Sequence, residues 1–250
     1  MKISPNRKEI KKMSKKMMYC TLDTETFGGA ANPKGIYHLA GRIHDRKGHI
    51  YATFNYLVCE FFEEIEGAFY GKKNFERYAE MIADGSITMV ATEDEAVAAV
   101  NALCDFYNVD YMMAYNSGFD FGRTKCHELI EEREFIDLYL MALQTITHVK
   151  KYAAFCRGNG LCSKSGRSVA TSAESVYAYI TNNAKYEEEH TALEDSKIEM
   201  EIFLACLKTH KRFTKNLHQH ECYDNKCFPA WVEKASKPKK VKPSDRLKNW

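Results

Sequence analysis

The residues best suited to chemistry fall in three separated segments. In Leu22-Asp23-Thr24-Glu25-Thr26, two carboxylates stand two residues apart at the end of an apolar stretch. On an extended strand, residues i and i+2 point to the same face. Carboxylates so placed repel each other unless positive charge lies between them, and a divalent cation with oxygen ligands answers that need. In Ala114-Tyr115-Asn116-Ser117-Gly118-Phe119-Asp120, a hydrophobic strand runs into a polar turn carrying Asn116 and Asp120. In Glu189-His190-Thr191-Ala192-Leu193-Glu194-Asp195, an imidazole stands before, or in the first turn of, an amphipathic helix, with a carboxylate about one turn on. Each segment alone also reads as ordinary structure: two solvated strand-end acids, an Asx turn capping a helix, and a packed or capping histidine.

Positioning these groups falls to a strand-rich first half and a helical second half. Residues 17–22 are suited to a buried strand. Strands over 35–44 and 49–58, joined by the turn Asp45-Arg46-Lys47-Gly48, predict an antiparallel opening. One helix is predicted over 74–83. Another follows the capping box Thr92-Glu93-Asp94-Glu95, with Ala96, Val97, Val100, Leu103 and Tyr107 on its apolar face. Residues 109–115 return as a strand, followed by a helix near 123–132, a short segment Phe135-Ile136-Asp137 and a helical stretch over 138–155. Residues 156–169, rich in Gly, Ser and basic side chains, read as an exposed loop. Thr171-Ser172-Ala173-Glu174 caps a helix carrying Val176, Tyr177 and Ile180, and 190–207 supplies the last strong helix.

Taken together, in this order and on these elements, the segments resemble the DEDDh class of 3′-5′ exonucleases. The class motifs stand as D-x-E at Asp23 and Glu25, N-x-x-F-D from Asn116 to Asp120, and H-x-A-L-x-D from His190 to Asp195, within a resemblance spanning about residues 18–207. Its short motifs and compact body are similar to bacteriophage-encoded members. The resemblance implies an α/β, ribonuclease H-like fold: a mixed central sheet flanked by helices, with the carboxylates converging where the first strand meets two helices. It implies hydrolysis of phosphodiester bonds from the 3′ end of DNA, single-stranded by preference, with release of nucleoside monophosphates.

The implied cofactors are two divalent cations, Mg²⁺ or Mn²⁺. Asp23, Glu25 and Asp195 would be ligands of the first, with Asp23 bridging and Asp120 holding the second largely through water. His190 is the implied general base, since an imidazole of unperturbed pKa about 6.5 accepts a proton near neutral pH. Asn116 and Phe119 would orient the turn and support the nucleotide, while Thr24, Thr26 and Phe27 would line the 3′-terminal base and sugar pocket. Asp137 falls where related enzymes have a hydrophobic-Ile-Asp segment and takes a supporting or structural role. Nothing in the motifs reads a 2′-OH, so an exoribonuclease acting on RNA or short oligonucleotides is an alternative. A proofreading or nucleic-acid-binding module with a polymerase partner is another, motivated by the basic chain ends.

Those ends hide behind a formal charge of only +2. Seven bases crowd residues 1–16 and seven more crowd 234–250; taking away these 14 with Glu9 and Asp245 leaves 22 of 36 bases against 32 of 34 acids. An acidic body with basic arms suits a polyanion-handling enzyme that concentrates carboxylates for metal, and equally suits solvated ends that aid solubility. The domain reading is therefore a flexible basic arm at 1–16, an exonuclease domain at 17–233 and a flexible basic tail at 234–250. Lys164-Ser165-Gly166-Arg167 offers two cations in a Gly-containing loop that could reach phosphates. Hydrophobic content of 45% with 28% charged residues excludes disordered and membrane classes. No apolar run approaches the roughly 20 residues of a membrane span, which with no export signal places the protein in the cytoplasm, a host's if phage-encoded. Nine cysteines without such a signal read as reduced thiols. Neither Cys156-x5-Cys162 nor His218-x-His220-x-Cys222-x4-Cys227 has a familiar zinc spacing.

Overall fold

In the computed structural model of the protein, the described residues are 17–29, 32–163 and 168–209. Six strands form one sheet in the order β4-β3-β2-β1-β5-β6. They are β1 (Met18–Gly29), β2 (Asn32–Asp45), β3 (Ile50–Val58), β4 (Thr88–Val90), β5 (Tyr111–Ala114) and β6 (Glu134–Asp137). β2 runs antiparallel to both β1 and β3, whereas β1, β5 and β6 are parallel to one another and β4 is parallel to β3. This is a mixed α/β sheet flanked by helices, the architecture that the resemblance implies. The flanking helices are α1 (Phe69–Asp84), α2 (Glu93–Tyr107), α3 (Asp120–Arg123), α4 (Leu138–Ala142), α5 (Lys150–Gly158), α6 (Ala173–Ile180) and α7 (Ala192–Thr209).

Alternation along β1 divides the core into two layers. Met18, Cys20 and Leu22 pack with Val97, Val100 and Cys104 of α2 on one face. Tyr19 turns to the other, its ring 4.8 Å from that of Phe203 on α7. β1 pairs with β5 only over Tyr19–Thr21, so its far half outruns the parallel neighbour just where β5 ends. Asp23 and Glu25 therefore emerge at the carboxyl end of parallel strands, where open α/β sheets leave a crevice. The hairpin partner β2 carries register shifts opposite Glu25/Thr26 and Phe27/Gly28, which bend this end of the ribbon.

Gly41, paired with Leu22, fits because it lacks a side chain. A Cβ there would lie 2.5 Å from both the Phe54 ring and the Thr21 carbonyl oxygen. Gly41→Ala is expected to destabilise the protein by about 1–3 kcal/mol, read by urea denaturation.

Most predicted elements are present, with five differences. The helix expected over 74–83 begins earlier, at Phe69. The stretch near 123–132 is a 3₁₀ segment, Lys125–Ile130, because Thr124 adopts an extended backbone and its Oγ1 accepts the Cys126 N–H, restarting the chain. The helix over 138–155 breaks at residues 148 and 149, after a π turn at Leu143–Thr147, in a run of β-branched residues with low helix propensity. β4, too short for an alternating pattern, was not foreseen in the sequence. The expected loop over 156–169 starts inside α5, where Cys156 is buried, and Cys162 bridges to Val169. Seven cysteines among the described residues are free thiols. The basic arm, the basic tail, Lys164 to Arg167 and the His218 to Cys227 cluster lie outside the described residues. No helix among the described residues is long and apolar enough to cross a membrane.

Candidate functional site

Asp23 and Glu25 on β1 and Asp195 in the first turn of α7 each bring one carboxylate oxygen within 4.8 Å of the others. Among the described residues no other group of His, Cys, Asp or Glu converges in this way. Asp120 opens α3 beside them and is held by Thr24, whose Oγ1 donates to Asp120 Oδ1 at 2.6 Å. The turn that aims Asp120 starts at Asn116, in the left-handed region at φ 62°, and closes with the Phe119 N–H donating to the Asn116 carbonyl at 2.8 Å. Asparagine accepts that backbone more readily than most residues.

All four acids and His190 line one cavity of about 560 Å³, with Thr24, Thr26, Asn116 and Phe119 in the same wall. Phe27 is not in that wall; its ring packs on Phe61 with centroids 4.8 Å apart. Asp137 caps α4, accepting the N–H groups of Tyr139 at 2.9 Å and Leu140 at 3.3 Å.

Two buried side chains of β2 seat α7 against the sheet. His38 Nδ1 accepts the Ala192 N–H at 3.3 Å while its Nε2–H faces Asn55 Oδ1 at 2.7 Å, and burial pushes its pKa down to about 4, keeping the ring neutral. Arg42 donates to the Leu193 carbonyl and to Ser196 Oγ. Just before α7, His190 sits at φ 55°, a strained backbone for a histidine. Tyr70 of α1 stacks on its ring at 3.9 Å, and Asn74 Nδ2 donates to the carbonyls of both Glu189 and His190. Glu188 Oε2 lies 3.8 Å from His190 Nδ1.

Burial raises every carboxylate of the cluster, and mutual repulsion adds to it. The Asp195 carboxyl is pushed up to about 10 by burial and then by Asp23, Glu188 and Glu25. Asp120 and Glu188 are each pushed up to about 7, burial leading in both. Asp23 and Glu25 rise well above the usual carboxylate range, burial first, then Asp120 for the former and Asp23 for the latter. Among the described residues, neither lysine nor arginine lines the cavity. Asp195 Oδ1 is buried and accepts no hydrogen bond among the described residues. Convergent carboxylate oxygens, one of them buried without a donor and none facing a lysine or arginine among the described residues that line the cavity, are the ligand set of a hard divalent cation, and the residues present fit one.

No family model matches the sequence, and no curated protein matches it. Among solved structures the chain is similar to a full-length 3′-exonuclease, at 14% identity and a TM-score of 0.44, over 77% of this chain and 82% of that one. It is also similar to E. coli exonuclease I in complex with a dA16 oligonucleotide, at 15% identity and a TM-score of 0.45, over 82% of this chain. The match spans only 43% of the exonuclease I chain.

Four residues of the site carried no flag in the sequence: Tyr70, Asn74, Glu188 and Glu199. Glu188 belongs to a run of three glutamates that reads as a solvated charge run. Glu199 follows Asp195 by four residues, the helical spacing that could have singled it out. Tyr70 and Asn74 share that spacing on α1, but nothing local ties them to a loop over a hundred residues away. Asn74→Ala is expected to cost about 1–3 kcal/mol of stability by orphaning two carbonyls, read by thermal denaturation.

Proposed function

We propose that this chain is a 3′-5′ exonuclease acting on DNA, single-stranded by preference, with two divalent cations, Mg²⁺ or Mn²⁺. The observation that carries the reading is the convergence of Asp23, Glu25, Asp120, His190 and Asp195 on one cavity of about 560 Å³. Polarity and DNA preference rest on the resemblance of the motifs to DEDDh enzymes. Asp23, Glu25 and Asp195 would hold one cation, and Asp23 with Asp120 the other. Divalent cations bound there supply Lewis acidity toward a phosphate and make water a stronger acid.

The chain's own groups do the rest. His190 has Nδ1 directed at Glu188, which leaves Nε2 to take the proton of the attacking water. The water oxygen bonds to phosphorus as the P–O3′ bond breaks. The departing 3′ oxygen gains a proton from solvent, giving a shortened strand and a nucleoside 5′-monophosphate. Thr26, Asn116 and Phe119 form the wall for the terminal nucleotide, while Thr24 keeps Asp120 in register.

The test is a gel of 5′-labelled single-stranded DNA, duplex DNA and RNA, each with Mg²⁺ or with EDTA. A ladder of 3′-shortened single-stranded DNA, dependent on Mg²⁺ and missing with Asp23→Ala, is expected. Intact substrates, or equal degradation by Asp23→Ala, would sink the reading. Faster loss of RNA would move the substrate to RNA.

A further inference from the structure

A second cavity, about 510 Å³, adjoins the first and shares with it Asp23, Tyr115, Asn116, Glu188 and Asp195. Glu25 and Asp120 line only the first; Glu199 lines only the second. Asp23 and Asp195 thus line both.

Glu199 is only 3% exposed. It stands one turn after Asp195 on α7, so the two acids share a helix face. The Tyr115 backbone N–H donates to its carboxylate, yet Oε2 is buried and accepts no hydrogen bond among the described residues. Among the described residues the charges that face it are Asp23 from β1, Asp120 from α3 and Asp195 from α7, all of one sign. Among the described residues no lysine or arginine lines the second cavity either. For packing alone this arrangement is poor: a buried acid among acids costs free energy that an amide or a methionine would avoid. A carboxylate oxygen without a donor, opening on a space walled by other carboxylates, has the character of a hard-cation ligand.

We propose that Glu199 is a fifth cation-binding carboxylate, reaching through water a Mg²⁺ or Mn²⁺ ion held by Asp23 and Asp195 on the side of the second cavity. This rests on the exonuclease reading of the site and extends its ligand set from four acids to five.

The experiment is Mn²⁺ binding to the full chain by calorimetry near neutral pH, comparing wild type with Glu199→Gln. Wild type is expected to bind Mn²⁺, and the variant to bind it on the order of 10–100-fold more weakly with unchanged circular dichroism. Equal affinities overturn the inference and make Glu199 a neutral core acid, leaving the exonuclease reading in place. A wild-type chain that binds no Mn²⁺ overturns both. If the glutamine variant does not fold, Glu199→Asp, which keeps the charge but shortens its reach by one methylene, takes its place; weaker Mn²⁺ binding supports the role and undiminished binding overturns it.

Discussion

Replacing Asp195 with asparagine is expected to lower nuclease activity on the order of 10³-fold while raising the melting temperature of the metal-free protein. The two effects have one origin. Asp195 is 7% exposed, its Oδ1 has no hydrogen-bond donor among the described residues, and its carboxyl is pushed up to about 10 by burial and then by neighbouring acids. An amide has nearly the same shape, carries no charge and relieves the repulsion. It also makes a far poorer cation ligand. Each kcal/mol recovered should raise the melting temperature of a chain this size by about 2–4 °C. Degradation of labelled DNA with Mg²⁺ and a thermal scan in EDTA read the two effects separately. A melting temperature that fell along with activity would instead make Asp195 a structural residue.

The same carboxylates set how the metal-free protein responds to pH. Asp120 and Glu188, each pushed up to about 7, and Asp195, pushed up to about 10, hold protons in the folded chain that the unfolded chain releases near pH 4. Their contribution is fully present below about pH 4 and is lost as pH rises through 7 toward 10. His38 and His44 act the other way. Burial pushes both down to about 4, so their contribution is present above about pH 6.5 and is lost as pH falls toward 4. Metal-free protein should therefore be most stable on the acid side of neutrality. Cation binding displaces the carboxylate protons and should carry that optimum to higher pH.

What the sequence made legible follows the range of the forces involved. The D-x-E pair was readable because strand alternation alone puts Asp23 and Glu25 on one face. Asp195 was readable because the apolar spacing after it announces a helix whose first turn it occupies, and His190 because it stands just before that helix. The support for these groups was not. Asn74 reaches the carbonyls of residues 189 and 190 only after α1 has packed beside the segment that leads into α7, and His38 meets Ala192 only across the sheet. Such pairings depend on tertiary contacts and leave no periodic trace. The second half misled for a related reason: Thr124 and the β-branched run before Val149 interrupt helices whose apolar spacing runs straight through them. Phe27 shows the limit from another side. The resemblance implies a nucleotide contact there, whereas its ring packs on Phe61 and it does not line the cavity of the acids.

Replacing His190 with alanine is expected to lower kcat by about 10²–10⁴-fold with little change in KM, because a general base acts in the chemical step and not in substrate capture. The ring's setting sharpens the expectation into a pH profile. Burial, and then the charge of Lys73, lowers the His190 pKa from its ordinary 6.5, so the neutral form that accepts a proton persists into mild acid. The acid limb of the wild-type rate should therefore fall below pH 6.5. Tyr70 supplies part of that burial by stacking at 3.9 Å. In Tyr70→Ala the ring gains solvent, its pKa moves back toward 6.5 and the acid limb shifts to higher pH, whereas Tyr70→Phe keeps the stack and the wild-type limb. Single-turnover rates across pH for the three proteins decide the matter. An acid limb that ignores Tyr70→Ala would mean that the proton is taken by another group, and Glu188, pushed up to about 7 within 3.8 Å of the imidazole, is the one placed to do so.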